Sequence, residues 1–139
     1  MRIGIVNDSK MATETLRQVL RQAAGCEVVW TAENGADAVA QCAKDTPDVI
    51  LMDLVMPVMN GVEATCKIMR ATPCPILIVT AATGGDEAMV FESMGCGALD
   101  AFCMPTYGSD GILHGQEKLL AKITTIGKFI KKPVQFVDP

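Results

Sequence analysis

The sequence has 139 residues, of which half are hydrophobic and only 4% are aromatic. This length predicts one domain, and this composition predicts an aliphatic, Met-rich core of the kind found in sheets covered by helices on both faces. The net charge of -4 argues against a large nucleic-acid-binding surface, and no apolar run approaches the roughly 18 residues that a membrane span requires. We therefore expect no contact with nucleic acid, no membrane insertion and, with no signal peptide after Met1, a cytoplasmic protein.

The six cysteines form no C-x-x-C pair, and His114 is the only histidine that accompanies them. A zinc site is therefore not expected. In a cytoplasmic protein the six side chains are predicted to be reduced thiols, because disulfides are rare in that compartment. We expect the domain to fold without a metal ion or a disulfide.

Apolar segments and helical patterns alternate along the chain and predict five strands, each followed by a helix. The strands are predicted at residues 2–6, 26–31, 49–52, 75–80 and 98–103. Ser9, Asn34 and Asn60 are predicted to cap the first three helices. A Gly-rich loop over residues 106–115 precedes the last helix, which Pro133 ends.

The fourth helix is predicted to follow Gly84-Gly85 and to end at Gly95. Its inward face is predicted to carry Ala88, Phe91 and Met94, which recur at helical spacing. We therefore expect its large apolar side chains to pack on the sheet.

Five strand-helix units with short connections predict an α/β fold, a flavodoxin-like (βα)5 doubly wound parallel sheet with strand order 2-1-3-4-5. Ligands bind such sheets beyond the carboxyl ends of the strands, where the strand order reverses. That point lies between the first and third strands, which end at Asp8 and Asp53. The two carboxylates are therefore predicted to face each other in a functional crevice.

Two carboxylates and a backbone carbonyl beyond Asp53 are oxygen ligands that suit Mg²⁺. A carboxylate beside this cation can attack a phosphoryl group and form an acyl phosphate. Thr80 ends the fourth strand, where its hydroxyl can donate a hydrogen bond to the added group. The sequence therefore predicts a magnesium-dependent phosphoryl site.

From residue 2 to about residue 130 the chain resembles the receiver domain of two-component response regulators. The resemblance is carried by Asn7-Asp8, by Asp53 within MDLVMPVMNG, by Thr80-Ala81 and by Pro105 after the fifth strand. It implies that a sensor histidine kinase phosphorylates the central aspartate with Mg²⁺, and that the domain regulates an effector. By position it implies the following roles: Asp53 as phosphoacceptor and metal ligand, Asp8 as direct metal ligand, Val55 as ligand through its carbonyl, Asn7 as a ligand through water and Thr80 as switch hydroxyl.

A narrower resemblance is carried by IVND, DLVMPVMNGVEAT and GALDAFCMPTYG. These segments are similar to the N-terminal receiver of chemotaxis-type protein-glutamate methylesterases, in which a linker leads to an esterase domain. The resemblance implies that residues 1–132 are a regulatory receiver domain, that residues 133–139 are a linker or tail, and that the effector is a methylesterase domain absent from these residues.

Three positions depart from the receiver pattern. Asn7 replaces the first acid of an acidic pair, Met104 stands where the family has a lysine, and Ala101 stands where many receivers have an aromatic residue. Lys10 is a candidate cation that supplies part of the role of the missing lysine. The Met104-Pro105 bond is predicted to be cis, because the family turns sharply there.

Two other functions stay open from the sequence. The departures at Asn7 and Met104 are compatible with a degenerate receiver that takes no phosphate and acts as a protein interaction module. A flavodoxin-like protein binding FMN through the hydroxyls of Ser9, Thr13 and Thr15 is the third reading, although the few aromatic residues leave little to stack on a flavin.

Overall fold

The computed structural model of the protein describes residues 1–81 and 84–131. The strands are β1 (Arg2–Val6), β2 (Glu27–Ala32), β3 (Val49–Met52), β4 (Ile76–Thr80), β5 (Asp100–Cys103), β6 (Thr106–Tyr107) and β7 (Leu113–His114). The helices are α1 (Lys10–Leu20), α2 (Gly35–Lys44), α3 (Gly61–Ala71), α4 (Glu87–Cys96) and α5 (Glu117–Lys131). The predicted linker or tail at residues 133–139 lies outside the described residues.

The first five strands form one parallel sheet in the order β2-β1-β3-β4-β5. This order confirms the predicted flavodoxin-like doubly wound fold. Val6 of β1 pairs with Met52 of β3, so the residues that follow these two strands emerge side by side at one edge of the sheet. The switch point therefore lies between Asp8 and Asp53, as predicted.

The central strand β3 shows how the core is divided. All four of its residues are fully buried, with Ile50 and Met52 in one apolar cluster and Val49 and Leu51 in the other. Successive side chains of a strand point to opposite faces of a sheet. The first cluster includes residues of α2 and α3, the second those of α1 and α5, so helices cover both faces.

Three asparagine or serine side chains cap helices at the positions predicted from the sequence. Ser9, Asn34 and Asn60 each accept a hydrogen bond from the backbone N–H three residues later. Each cap satisfies one of the N–H groups that a helix start leaves without a partner. The caps of α1 and α3 thereby fix where the chain turns after the strand ends that carry Asp8 and Asp53.

The end of α4 differs from the prediction. The helix continues through Gly95 to Cys96, and Gly97 caps it in the left-handed conformation with φ at 114°. A side chain on Gly97 would also approach Met69 of α3, with a Cβ-to-carbon distance of 3.1 Å. At Gly95, no described residue outside the local backbone of α4 approaches within 4 Å of the position of a Cβ. The helix therefore ends at the glycine whose backbone requires it.

The predicted inward face of α4 is wrong. Ala88 and Met94 are exposed, as is Phe91, whose exposed fraction is 80%. Ser93 is fully buried instead, and its hydroxyl donates to the Met89 carbonyl. Apolar residues occur on both sides of this helix, so their spacing does not identify the side that packs.

The segment after β5 is also more ordered than a loop. Strands β6 and β7 pair antiparallel in a small hairpin within the predicted loop. The cis prediction for Met104-Pro105 is wrong, because no peptide bond in the described residues is cis. The backbone N–H of Met104 donates to the Thr80 carbonyl at 2.7 Å, which continues the β4 to β5 ladder, and Pro105 then leads directly into β6. The chain therefore needs no tight turn at this bond.

Cys66 of α3 and Cys96 of α4 form a disulfide, with their Cα atoms 4.8 Å apart. The prediction that all six cysteines are reduced thiols is therefore wrong for this pair. Thirty positions separate the two residues in sequence, and only the packing of α3 against α4 brings them together. Cys42, Cys74 and Cys103 carry free thiols.

Among the described helices, none combines the length and apolar character needed to cross a lipid bilayer.

Candidate functional site

Asp53 lies directly after β3, at the carboxyl edge of the sheet. Its backbone N–H donates to the Val6 carbonyl at 2.9 Å, which extends the β1 to β3 ladder by one residue. Its side-chain Oδ1 accepts a hydrogen bond of 2.8 Å from the backbone N–H of Leu54. The carboxylate is therefore held by the main chain rather than by a cationic side chain.

The pKa of Asp53 is raised to about 6. Desolvation is the largest cause, and the nearby charges of Asp8 and Asp86 raise this pKa further, while the Leu54 N–H lowers it. A carboxyl group with this pKa is mostly ionised at neutral pH. No lysine or arginine of the described residues is among the groups that shift this pKa. The negative charges around Asp53 are therefore not offset by a neighbouring cationic side chain in the described part of the chain.

Asp86 was not among the residues predicted for the site. It precedes α4 as its N-cap, and its side chain makes no capping hydrogen bond there. Its position in the connection after β4 was a usable signal, because the carboxyl ends of all parallel strands meet at the same edge of the sheet.

A cavity of about 200 Å³ joins most of the predicted site residues. It is lined by Asn7, Asp8, Ser9, Ala12, Asp53, Val79, Thr80, Ala81 and Met104. The structure thus brings both carboxylates, the threonine and the methionine at the expected lysine position to one cavity. Val55 is exposed in the loop after Asp53 and does not line it.

Lys10, the candidate cation, lines a neighbouring cavity of about 150 Å³ together with Glu33. Asn7 lines both cavities and so separates them. The lysine is exposed at the first position of α1. It is therefore adjacent to the Asp53 cavity without lining it.

Asn7 is buried, and its main chain extends the sheet by donating to the Ala32 carbonyl at 3.0 Å. Its Oδ1 accepts a hydrogen bond of 2.9 Å from the backbone N–H of Ser9. This oxygen orders the turn that presents Asp8. Asp8 is exposed beside it, where a carboxylate can reach a cation and water together.

Thr80 ends β4 and lines the same cavity as Asp53. Its hydroxyl donates to the Phe102 carbonyl over 3.4 Å, a length at the weak limit of hydrogen bonding. Met104 contributes an uncharged thioether to the same cavity. Thr80 and Met104 therefore contribute a loosely held hydroxyl and an uncharged side chain to this cavity.

The carboxylates of Asp8 and Asp53 suit Mg²⁺ better than a metal ion that needs three or more protein side chains. In the described residues, no group of three His, Cys, Asp or Glu side chains is arranged to hold a metal ion. Magnesium typically binds through one or two carboxylates and keeps several waters, so Asp8 and Asp53 meet its usual requirement. The three like charges of Asp8, Asp53 and Asp86 also favour a divalent cation electrostatically.

The hydroxyls considered for flavin binding serve the main chain of α1. Ser9 accepts a capping hydrogen bond from Ala12, Thr13 donates to the Ser9 carbonyl, and Thr15 donates to the Met11 carbonyl. Thr15 is also buried. These three groups form no phosphate-binding cluster, which counts against the flavin alternative.

Curated relatives share about half of the residues of this chain. It is 52% identical over 132 residues to a protein-glutamate methylesterase/protein-glutamine glutaminase of Mesorhizobium japonicum, covering 94% of this chain and 39% of that protein. It is 50% identical over 144 residues to protein-glutamate methylesterase/protein-glutamine glutaminase 3 of Pseudomonas aeruginosa, covering 100% of this chain and 43% of that protein. The chain thus spans about two fifths of the length of these relatives.

Solved structures share the fold. The response regulator domain of Thermotoga maritima CheB is 28% identical, with a TM-score of 0.74 and coverage of 100% of this chain and 98% of that one. The family model of the response regulator receiver domain matches residues 3–106. The chain therefore belongs to the response regulator receiver domains.

Proposed function

We propose that Asp53 is the phosphoacceptor of this receiver domain and that a sensor histidine kinase is its phosphoryl donor. The observation that carries the proposal is the half-buried Asp53 carboxylate, which shares a cavity of about 200 Å³ with Asp8 and Thr80 at the switch point of the sheet. Ligand sites of doubly wound folds occur at this point.

In the proposed reaction, an ionised carboxylate oxygen of Asp53 attacks the phosphorus of the donor. An oxygen–phosphorus bond forms, the bond from phosphorus to the donor's imidazole nitrogen breaks, and the imidazole keeps the bonding electron pair. Because the pKa of Asp53 is about 6, the carboxylate is ionised at neutral pH yet more basic than an exposed aspartate. Burial therefore favours its role as a nucleophile.

Asp8, Asp53 and the carbonyl of Val55 would hold Mg²⁺, with Asn7 contributing through water. When bound, the cation supplies positive charge that offsets the carboxylates and the phosphoryl oxygens. The Oδ1 of Asn7 already accepts from the Ser9 N–H, which supports an indirect role for this residue.

Thr80 is proposed as the switch hydroxyl. Its long hydrogen bond to the Phe102 carbonyl is easily exchanged for a bond to a phosphoryl oxygen, which is a charged and stronger acceptor. That exchange would pull the end of β4 toward Asp53 and bias a two-state surface. Ala101 on β5 stands where many receivers have an aromatic residue. The conformational change that starts at Thr80 would therefore be transmitted without a large aromatic side chain at that position.

The methylesterase relatives support a narrower proposal for the output. We propose that this receiver regulates a protein-glutamate methylesterase domain, because both relatives carry that name and match this chain over about two fifths of their length. The proposed kinase donor supports a cytoplasmic location, and the net charge of -4 argues against a nucleic acid partner.

The test is the intact mass of the protein after treatment with acetyl phosphate. The parent protein with Mg²⁺ is expected to gain one phosphoryl group, whereas Asp53→Asn is expected to gain none. Asp37→Asn, which changes an exposed aspartate in the first turn of α2, is the matched control and should gain the group normally. A phosphoryl group on Asp53→Asn would refute the assignment.

A degenerate receiver is the second candidate, and the uncharged Asn7 and Met104 in the cavity favour it. In that case the parent protein would gain no mass at any Mg²⁺ concentration while keeping its fold. The domain would then act as an interaction module whose surface does not depend on phosphate. The same experiment therefore separates the two functions.

A further inference from the structure

We infer that Cys66 and Cys96 form a redox modification site, a dithiol that a small-molecule disulfide oxidises reversibly, and that the resulting link restrains α4 beside the Asp53 site. The coupling to phosphorylation and the expected reversibility of the link rest on the proposed function, whereas the positions of the two cysteines and the restraint on α4 do not.

The two cysteines are positioned for this chemistry. Their Cα atoms are 4.8 Å apart on α3 and α4, within the range that a disulfide requires. Both side chains are partly exposed, so a small reagent can reach them. Disulfides that occur in the cytoplasm are usually transient and serve catalysis or redox sensing. A disulfide in a protein of the proposed location therefore indicates a reversible function.

The helix that carries Cys96 buries few of its side chains, although it packs against α3. Ser93 is the only residue of α4 that is fully buried, and the N-cap Asp86 makes no side-chain capping bond. Met89 and Val90 pack against the core but are only partly buried. Helices with few buried contacts open locally at low free-energy cost. A covalent link at the last residue of α4 therefore changes the freedom of this helix more than it would change that of a well-packed one.

The position of the link connects it to the candidate site. The ring closed by the disulfide runs from residue 66 to residue 96 and contains β4, Thr80 and Asp86. Thr80, Asp86 and Val90 line one cavity of about 280 Å³ between β4 and the start of α4. A movement of α4 therefore alters the surroundings of the hydroxyl proposed as the switch.

The oxidation of the two cysteines proceeds by thiol–disulfide exchange with oxidised glutathione. The thiolate of one cysteine attacks a sulfur of oxidised glutathione, forms a mixed disulfide and releases one glutathione thiol. The second cysteine, as its thiolate, attacks the mixed disulfide, forms the Cys66–Cys96 bond and releases the second glutathione thiol. The protein loses two electrons and two protons, and one glutathione disulfide is reduced to two thiols.

The experiment compares the parent protein equilibrated in reduced and in oxidised glutathione buffers. Alkylation and peptide mapping measure the Cys66–Cys96 link, hydrogen–deuterium exchange measures the opening of α4, and acetyl phosphate with Mg²⁺ measures the phosphorylation rate of Asp53. We expect the link to form and dissolve with the buffer, amide exchange in residues 87–96 to slow at least fivefold on oxidation, and the phosphorylation rate to fall at least threefold.

Two variants serve as controls. Cys66→Ser with Cys96→Ser should show the fast exchange of the reduced parent in both buffers. Cys103→Ser removes an exposed thiol that lines the cavity beside Thr80, and it should keep the full redox response. A response that persists in the double variant, or disappears in Cys103→Ser, would overturn the assignment to this pair.

The remaining outcomes are also decisive. If no Cys66–Cys96 link forms in oxidised glutathione, or if α4 exchanges equally in both states, the inference is wrong. If α4 slows but the phosphorylation rate is unchanged, the coupling to Asp53 is wrong. If Asp53 takes no phosphate in either state, the proposed function fails, and hydrogen exchange alone still decides whether the redox site restrains α4.

Discussion

The main chain of Gly61 lies against that of Asp53. A Cβ at residue 61 would be only 1.9 Å from the Asp53 carbonyl oxygen, and the Gly61 N–H donates to the Leu54 carbonyl at 2.8 Å. The loop that leaves the proposed phosphoacceptor therefore returns to within contact distance of it before α3 begins. Only glycine permits this closure, because any side chain would collide with backbone that cannot turn aside.

Gly61→Ala is expected to lower the free energy of unfolding by about 2 to 3 kcal/mol, because the added methyl group must displace backbone. Urea denaturation measures this loss. The loop after Asp53 should also shift, so phosphorylation by acetyl phosphate is expected to slow in the folded fraction.

Gly95→Ala is the matched control for this substitution. Residue 95 lies inside α4, and in the described residues no atom beyond its chain neighbours and the backbone of the helix itself lies within 4 Å of the position of its Cβ. Alanine there should raise the free energy of unfolding by about 0.5 to 1 kcal/mol through helix propensity. Equal losses for the two variants would contradict the steric explanation.

Val58 is the one non-glycine residue in the described ranges with a positive φ, at 67°. Its side chain is 84% exposed, so little packing offsets the cost of the left-handed conformation. We expect Val58→Gly to raise the free energy of unfolding by about 1 kcal/mol, because β-branched residues are disfavoured in this region. Thermal or urea unfolding measures the gain.

Val55→Gly tests whether that gain depends on backbone conformation. Val55 is exposed in the same loop, and its φ is not positive. Glycine should therefore lower the free energy of unfolding there by roughly 0.5 to 1 kcal/mol, through the greater entropy of the unfolded chain. If Val58→Gly is destabilising as well, the strain assigned to Val58 is absent.

The raised pKa of Asp53 predicts a pH dependence of stability in the absence of metal. The folded protein holds this proton up to about pH 6, whereas an unfolded aspartate releases it near its ordinary value of 3.8. Stability therefore falls as pH rises through this interval, because the folded state binds more protons. Asp53→Asn removes the cost and should stabilise the protein at pH 8 by about 1 to 2 kcal/mol, a value reduced for partial solvent screening.

The measurement is urea unfolding in EDTA at pH 4 and at pH 8. At pH 4 the parent and Asp53→Asn should differ far less, because Asp53 is then mostly protonated in the folded state. If Asp53→Asn raises the free energy of unfolding equally at both pH values, the stabilisation comes from a source other than the ionisation of Asp53.

The sheet was predictable because the residue types of its strands and helix starts favour, by themselves, the same structure that they adopt in the folded domain. Val49–Met52 is apolar on both faces, and it is the buried central strand. Ser9, Asn34 and Asn60 stand where helices begin, and each one caps its helix. Since parallel strands end at one edge, the meeting of Asp8 and Asp53 followed from the strand order alone.

The surroundings of α4 were not predictable from spacing. Phe91 was expected inside and is exposed, because the burial of α4 is decided by its contact with α3 and not by its own pattern. The Cys66–Cys96 pair lies at that same contact, between residues that no sequence motif connects. Both errors arise from helix–helix packing, which acts between segments distant in sequence.

Met104 provides no cation at the position where the family has a lysine. Lys10 lines the cavity adjoining that of Asp53, and Asn7 forms part of the wall of both. The long flexible side chain of a lysine can extend past such a wall toward a doubly charged phosphoryl group. We propose that Lys10 supplies part of the positive charge expected at position 104. Lys10→Ala should then slow phosphorylation by acetyl phosphate severalfold.

A double-mutant cycle tests this compensation. Met104→Lys is expected to accelerate phosphorylation of the parent, and Lys10→Ala should matter less in the Met104→Lys background, because a second cation is then present. Interaction between the two substitutions is the signature of a shared electrostatic role. Raising the salt concentration should weaken the Lys10 effect, since exposed charges are screened. If Lys10→Ala has the same effect in both backgrounds, or none in either, the lysine is an exposed surface residue without a part in the reaction.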